Sequence, residues 1–555
     1  MAIDIGRAGA VIGEADDKEG VKIVLTASRT DMSDFEDDAF TAFLCTFPRF
    51  LAGIQVKKYL KSSVDEDGTC RFAPYGLRKV EALLVEEFGR ENVVVAHPQT
   101  LNRFVGPETQ LMGISVHDPA GLAYVSMTYN SLIGFGGKSL NQHEFKRLME
   151  NPVLRNFEGK IIAGGPGAWQ VRDAELQDRY GIDVLMAGEA ENDLIPLVHR
   201  LLNEERVDKY VHARKTDPRR DRVPVILKPS TFGSVEITRG CGRGCRFCTP
   251  TTRQAYSFPI DHIMREVKVS IDGGSKSIFV VTGDVFLYQS FPGFKPNREK
   301  LVKLFNSIAS YPGVQRIDIS HGSIAPIVYD PKILAEISPI LLEKSGRKLR
   351  GKPFQTIEVG IETGSTRIMT SCMKGKALPL DVKDWHEIVT QGLSIMNDNG
   401  WYPLCTMITG LPGESEDDIL QTLELMDKMK GYTLFYVPLL FIPLEDAVLR
   451  NAKRCELDHI NELQWEFIAT SWRRNLDIWA GERSWYYRML GFPLCWALLR
   501  WKHGSSATRA VMKSVGMPEF LLPIGEVAPC VPMPKTSSAT FEREASQKSG
   551  MDLKC

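Results

Sequence analysis

Twice along this chain, short apolar runs rich in β-branched residues alternate with helical segments. That alternation dictates parallel sheets with helices packed on them. The first series holds "VKIVLTAS" (21–28), "NVVVAHP" (92–98), "LMGISVHDPAGLA" (111–123), "GKIIAGGPGAW" (159–169) and "GIDVLMAGEAENDLIPLVHRLLNEE" (181–205). Between its first two strands, residues 73–89 carry helical spacing at Leu77, Val80, Leu83 and Leu84 and stop at Gly89. The series predicts a doubly wound, Rossmann-like α/β domain over 21–205, behind a flexible extension at 1–20. Residues 206–230 are charged and irregular and read as a linker. The second series is "SVEIT", "SIFVV", "RIDIS", "TIEVGIE", "PLCTMITGLP" and "TLFYVPLLFIP". It predicts a partial or full (β/α) barrel over 231–450.

Residues 451–525 read as a helical C-terminal segment, and the polar residues 526–555 as a disordered tail. Trp465, Trp472 and Trp479 lie seven residues apart, which places them on one helical face. With its arginines and the apolar stretch Met489–Leu499, the segment 455–515 is a candidate peripheral membrane contact. The bland reading is a helical cap that packs its tryptophans on the barrel. Met489–Leu499 carries Pro493 and is too short to span a bilayer, and no run of eighteen apolar residues exists. The N-terminus lacks the pattern of a signal peptide. The formal net charge of −1 calls for neither nucleic acid nor a membrane, so any anion site is local. Eleven unevenly placed cysteines argue against a disulfide scaffold and for a reduced, cytoplasmic setting.

Three of those cysteines, Cys241, Cys245 and Cys248, fall in "GCGRGCRFC", just after the first strand of the second series. A structural zinc site wants four ligands, usually as two pairs, and no second pair is present. Three thiolates suit a four-iron cluster that keeps one iron open, placed where a barrel carries its chemistry. Arg243 and Arg246 would offset the cluster's negative charge, receive a reductant, or stand as solvated loop residues. Tyr256 and Tyr288 follow strand ends and read as packing residues before substrate contacts. Cys372 and Cys405 read as ordinary thiols.

With Phe247 ahead of the last cysteine, this motif resembles the radical S-adenosylmethionine superfamily. The resemblance implies a [4Fe-4S] cluster on Cys241, Cys245 and Cys248 whose open iron binds S-adenosylmethionine and cleaves it to a 5′-deoxyadenosyl radical. Further stretches match the family's cofactor pattern. "VTGDVF" stands where a strand end contacts the amino group, at Gly283 and Asp284. "GIETGSTRIM" supplies Glu362 for the ribose, Ser365, and Arg367 for the carboxylate; "MITGLPGES" supplies Gly410 beside the adenine. The leading domain resembles the cobalamin-binding domain of cobalamin-dependent members, archaeal enzymes among them. That likeness implies corrin contacts at Asp118, Gly121, Gly164, Gly165, Gly188 and Glu189. The family's DxHxxG signature is absent: Asp118 stands at the histidine position and Val116 at the aspartate, with His117 one place off. No lower histidine ligand is therefore expected, and Tyr124 or a neighbour covers the lower face.

The implied activity is methyl transfer or carbon–carbon bond formation at an unactivated carbon. The electron comes from a donor such as ferredoxin or flavodoxin. A membrane lipid and a protein side chain, such as one in methyl-coenzyme M reductase, both remain open as substrates. The reading from another class is a non-catalytic cobalamin or iron–sulfur sensor. No catalytic side chain is nominated.

Overall fold

The computed structural model describes residues 19–49, 64–133, 138–253 and 255–481, with further positions at 56, 60, 497, 500–505, 507–510 and 512. The extension before residue 19, most of Met489–Leu499 and the tail after 512 lie outside the described residues.

The first six strands form one parallel sheet: β1 (Ile23–Ala27), β2 (Val93–Val95), β3 (Leu111–Ser115), β4 (Lys160–Gly164), β5 (Val184–Ala187) and β6 (Tyr210–His212). Their order is β2-β1-β3-β4-β5-β6. All five residues of β1 are buried, and alternate ones serve opposite faces. Ile23, Leu25 and Ala27 join Leu77 and Leu84 of the helix Tyr75–Phe88 and Leu197 and Leu201 of the helix Ala190–Leu202. Val24 joins Phe145 and Leu148 of the helix Leu140–Met149. The sheet is therefore wound on both faces. Its sixth strand comes from the stretch expected to be linker. Two half-buried residues and an exposed histidine have too little hydrophobic contrast to show as a strand in sequence.

The second half builds six further parallel strands around one core: β7 (Ser234–Glu236), β10 (Ser277–Val281), β11 (Arg316–Ile319), β14 (Glu358–Glu362), β15 (Leu404–Thr409) and β16 (Phe435–Leu440). Two-residue ladders join β8 (Thr238–Arg239) to β9 (Tyr256–Ser257) and β12 (Lys348–Leu349) to β13 (Lys352–Pro353). The main strands run β7-β10-β11 and β14-β15-β16, and a parallel bridge from His321 to Glu358 joins the two sets. β7 and β16 do not pair, so the barrel is partial.

An open barrel leaves β16 as an edge with unpaired backbone groups. Side chains satisfy it. Asn475, on the helix Glu462–Trp479, accepts from the Tyr436 N–H and donates to its carbonyl, both at 2.7 Å. Trp479 donates to the Leu434 carbonyl at 2.9 Å, and Thr128 accepts from the Leu440 N–H at 3.0 Å. Trp465 is buried, and Trp472 meets Tyr129 and Phe435 edge-on. The shared tryptophan face is thus turned onto the barrel and seals its edge. This corrects the expectation of membrane contact through these three residues. Among the described residues no helix is long and apolar enough to cross a membrane.

The two halves are tied by ion pairs. Lys79 reaches Glu266 at 2.5 Å, with the Tyr75 hydroxyl on the same carboxylate at 2.7 Å. Arg239 bonds Glu191 at 2.6 Å, and Arg253 bonds Glu189 at 3.0 Å.

Candidate active site

The cluster loop follows β7 at the C-terminal mouth of the barrel. Its glycines explain its shape. Gly240, Gly242 and Gly244 have φ of +80°, +73° and +75°, while the residues between them keep negative φ. Only glycine takes the left-handed region at no steric cost. Alternating hands along a backbone turn successive N–H groups to one side, a concavity suited to anions and iron–sulfur groups. The three cysteines sit in this curl, Cys241 and Cys245 buried and Cys248 half-buried. Burial pushes the Cys241 thiol up to about 11 and that of Cys248 up to about 12, and raises Cys245 as well. Metal uptake here must displace protons. Among the described residues, no three Cys, His, Asp or Glu side chains converge as a single metal ion requires. A four-iron cluster asks for less convergence, because each thiolate bonds a different iron. The chain therefore fits the cluster better than a lone zinc.

The two arginines of the motif have opposite fates. Arg243 is buried, bonded to Asp284 at 2.9 Å and to the carbonyls of Gly375 and Leu378 at 2.9 Å. Arg246 is exposed. The segment after Cys372 is pressed against the loop: a Cβ on Gly375 would lie 1.9 Å from the Arg243 carbonyl oxygen. That neighbour is backbone and cannot move aside cheaply. Gly375→Ala is expected to cost about 1–3 kcal/mol by overpacking. It should also displace the loop, lowering both the denaturation midpoint and the iron bound after reconstitution. An unchanged midpoint with full iron would show that this packing is dispensable.

The other candidates for S-adenosylmethionine gather at the same mouth. Gly283 backs onto the loop: a Cβ there would stand 3.2 Å from the Gly240 carbonyl oxygen and 3.5 Å from the Cys241 Cβ. Asp284 is buried and also accepts from the Ser323 and Phe286 N–H groups at 3.1 and 3.2 Å. Phe247 is buried, with Lys376 Nζ 5.8 Å from its ring centroid. Glu362 pairs with Lys376 and accepts from Thr406 at 3.3 Å. A Cβ on Gly360 would press on the charged ends of that pair and push them aside. Burial opposes the Lys376 charge, but Glu362 and Cys245 together raise its pKa. Ser365 caps the helix Thr366–Cys372 and donates to Asp418 at 2.5 Å. Arg367 is largely exposed; it pairs with Asp418 and donates to the Gly413 carbonyl at 2.7 Å. Gly410 has φ of +81° and packs on Cys455. Tyr288 is fully buried and donates to the Phe258 carbonyl at 3.1 Å, as a packing residue does.

Sequence reasoning missed Lys376 and the pair His321–Glu358, 3.4 Å apart. Burial opposes the His321 charge, but the neighbouring Glu358 outweighs it and raises its pKa. The His321–Glu358 pair arises from strand pairing and Lys376 reaches Glu362 from the helical turn Lys374–Ala377; no local motif announces either.

The N-terminal candidates lie along the C-terminal edge of the first sheet. The order β2-β1-β3 puts a topological switch point between β1 and β3, where doubly wound sheets bind ligands. Asp118, just past β3, accepts from the Ala123 N–H at 3.1 Å, Gln170 at 3.0 Å and Ser126, so it shapes the loop. Gly121 has φ of +68°, Gly165 +115° and Gly188 +94°. A Cβ on Gly164 would sit 3.1 Å from the Met186 carbonyl oxygen. Glu189 is occupied by Arg253 and by the Thr216 N–H at 2.8 Å. The Tyr124 hydroxyl donates to the Phe247 carbonyl at 2.8 Å, which brings this edge against the cluster loop. Burial, with Cys248 nearby, pushes the Tyr124 phenol up and keeps it a donor. Asp31, beyond β1, was not anticipated; burial raises its pKa while His117 opposes the rise.

Between this edge and the segment after β16 lies a cleft of about 910 Å³, lined by Leu122, Trp169, Arg172, His212, Ile442 and Arg450 among others. Arg172 and Tyr210 both bond Glu445 across it, at 2.6 and 2.7 Å.

Residues 235–426 match the family model of the radical SAM superfamily. Among curated proteins, the ribosomal protein uS12 methylthiotransferase RimO of an Azoarcus species is 28% identical over 242 residues, 40% of this chain and 49% of that protein. The tRNA-2-methylthio-N(6)-dimethylallyladenosine synthase of a Nitratiruptor species is 26% identical over 218 residues, 38% of this chain and 46% of that protein. The chain thus spans about half the length of the curated relatives it matches. In fold it resembles the radical S-adenosylmethionine methyltransferase TsrM from Kitasatospora setae, solved with cobalamin and a [4Fe-4S] cluster bound. That likeness has a TM-score of 0.50 at 11% identity and covers 78% of this chain and 74% of that one. The family match brings a [4Fe-4S] cluster and S-adenosylmethionine as the barrel's cofactors. Cysteine loop, barrel and family model coincide: this chain carries a radical SAM domain over residues 235–426.

Proposed function

We propose that the protein is a cobalamin-dependent radical S-adenosylmethionine enzyme that transfers a methyl group to an unactivated carbon. The observation that carries this reading is the cleft between the two halves. It opens at the C-terminal edge of a doubly wound sheet, the edge that binds ligands in such folds. The Tyr124–Phe247 hydrogen bond then sets that edge beside the cluster loop. When bound, cobalamin would supply a methyl carrier and the reduced cluster the electron that cleaves S-adenosylmethionine. Cys241, Cys245 and Cys248 would hold the cluster. Lys376, Glu362 and the buried Arg243–Asp284 pair would orient the cosubstrate at its open side and keep water out. Trp169 and Leu122 offer apolar surface to a corrin face, and Arg172 and Arg450 meet its polar periphery.

A second reading, suggested by the names of the curated relatives, is methylthio transfer. It needs a sulfur donor besides the methyl group. Outside the cluster loop, the described cysteines are Cys45, Cys70, Cys372, Cys405 and Cys455, which form no second thiol cluster. This favours methyl transfer. Among substrates, a protein side chain or other polar molecule suits a chain whose Trp465, Trp472 and Trp479 pack onto the barrel edge better than a membrane lipid does.

The test is anaerobic. Cluster-loaded protein is titrated with hydroxocobalamin, then given S-adenosylmethionine and dithionite. Stoichiometric cobalamin binding, weakened about tenfold or more by Trp169→Ala, together with 5′-deoxyadenosine release is the expected result. No cobalamin binding would sink the reading. Binding without cleavage of S-adenosylmethionine would leave a sensor.

A further inference from the structure

The inner face of this barrel is polar, whereas closed barrels of the kind fill theirs with branched apolar side chains. Along β10, β11 and β14, Ile278, Ile317, Ile319, Val359 and Ile361 belong to the core shared with the flanking helices. Neighbouring positions on a strand point to opposite faces, so Phe279, Asp318 and Glu358 turn into the lumen. Gly360, which backs the Lys376–Glu362 pair, lies on the same face as Glu358. The loop after β1 stops the lower end: Asp38 accepts from Arg316 at 3.3 Å and from Arg347 at 2.5 Å, and Phe40 meets Phe279 edge-on. The cysteine loop stands at the other end. Between these ends the strand carboxylates are not alike. Glu236 bonds Arg239 at 2.6 Å, Asp318 pairs with Arg316 and Arg347, and Glu362 pairs with Lys376. Among the described residues, Glu358 has neither an arginine nor a lysine; its ion pair is with His321 at 3.4 Å. That base loses its charge near neutral pH. The Glu358 and His321 side chains are 26% and 51% exposed, against 3% for Asp318 and 6% for Glu362. The pair is thus set inside the barrel and still open to a ligand.

We infer that the lumen is the substrate chamber and that Glu358 receives a cationic nitrogen of the substrate, an ammonium or a guanidinium. The inference rests on the methyl-transfer reading above and adds the chemical class of what is methylated. A carboxylate set inside protein calls for a counter-charge. An arginine or lysine supplies it permanently; a histidine supplies it in part and yields the place to a stronger cation. Lys376 and Asp284 both act on His321 through space, which ties the pair to the cosubstrate layer. Glu358 stands at the far end of β14 from Glu362. Four strand positions span about 13 Å, so Glu358 reaches a second molecule rather than the ribose of the first. The stop at Asp38 closes the chamber below. A compact side chain or a small amine fits it; a long acyl chain does not.

The probes are Nα-acetyl-lysine methylamide and Nα-acetyl-arginine methylamide, each beside its neutral counterpart, the norleucine and the citrulline derivative. Calorimetry on the cluster-loaded full chain reads their affinities, and S-adenosylmethionine is titrated in parallel. At least one cationic probe should bind about tenfold or more tighter than its counterpart. Glu358→Gln should erase that preference and leave the neutral probe, the iron content and the affinity for S-adenosylmethionine as in the wild type. His321→Asn should act in the other direction and tighten the cationic probe by about threefold or more, because the carboxylate loses its resident partner. Opposite signs at two residues in contact separate recognition from a shared structural role. Cadaverine and agmatine carry the same cations without a peptide frame: equal affinity assigns a small amine, weaker affinity a protein side chain. No preference in the wild type, a preference that survives Glu358→Gln, or an affinity unchanged or lowered in His321→Asn overturns the inference. So does loss of S-adenosylmethionine binding in Glu358→Gln, since the carboxylate then serves the cosubstrate's own ammonium. A cationic preference in a protein that binds no hydroxocobalamin overturns instead the methyl-transfer reading beneath it.

Discussion

Asp284→Ala is expected to destabilise the protein by about 3–5 kcal/mol, because it strands a buried guanidinium. The Arg243 and Asp284 side chains are 3% and 1% exposed. With the carboxylate gone, the carbonyls of Gly375 and Leu378 still accept from Arg243, but no anion offsets its charge. The Ser323 and Phe286 N–H groups lose an acceptor as well. A guanidinium denaturation midpoint reads the loss. The double change Arg243→Met/Asp284→Leu should recover a good part of it, since a buried pair replaced by apolar side chains is often nearly neutral. A loss below about 1 kcal/mol for the single change would mean that another anion reaches Arg243.

Replacing Cys241, Cys245 or Cys248 by alanine is expected to abolish the cluster. Each change should remove the iron–sulfur absorbance after anaerobic reconstitution, or leave it too labile to turn over, and cut reductive cleavage of S-adenosylmethionine by at least about a hundredfold. Cys372→Ala and Cys405→Ala are the controls. Both residues are buried in the barrel core, so they should lose stability but keep iron and sulfide at the wild-type ratio. Full iron in Cys248→Ala, or its loss in Cys405→Ala, would remove the ligand assignment.

Some of this was legible in the sequence, for definite reasons. The strands of both sheets are buried on two faces, so "KIVLTA" and "SIFVV" stand out as continuous apolar runs. The cysteine loop was legible because its glycines and thiols are consecutive. Other features depend on residues far apart in the chain. Glu189 reads as part of a ligand turn, yet a partner 64 residues away engages it. The heptad spacing of Trp465, Trp472 and Trp479 fixes a shared face but not the surface it meets. That surface is the edge of β16, which stays open because β7 and β16 do not pair, and no local pattern marks it. Lys376 follows Glu362 by 14 residues through a helix and a turn, and nothing local marks the pair. Arg243 and Arg246 are alike in sequence; the packing of Gly375 and Asp284 separates them.

The clamps at Glu189 and Glu191 bear on how the molecule can be divided. Arg239 lies two residues before the first cluster cysteine, and Arg253 lies five after the last. Both are held by acids on a single turn of the other sheet. The entry and exit of the cysteine loop are therefore anchored outside the barrel that carries it. Modularity stops at this loop. A barrel excised at residue 231 would keep its strands, its core, all three thiols and the Arg239–Glu236 pair, yet lose the anchor at the loop's exit and the second acid at its entry. The redox centre is in this sense joint property of the two halves, and any transplant of the barrel must carry the β5 turn with it.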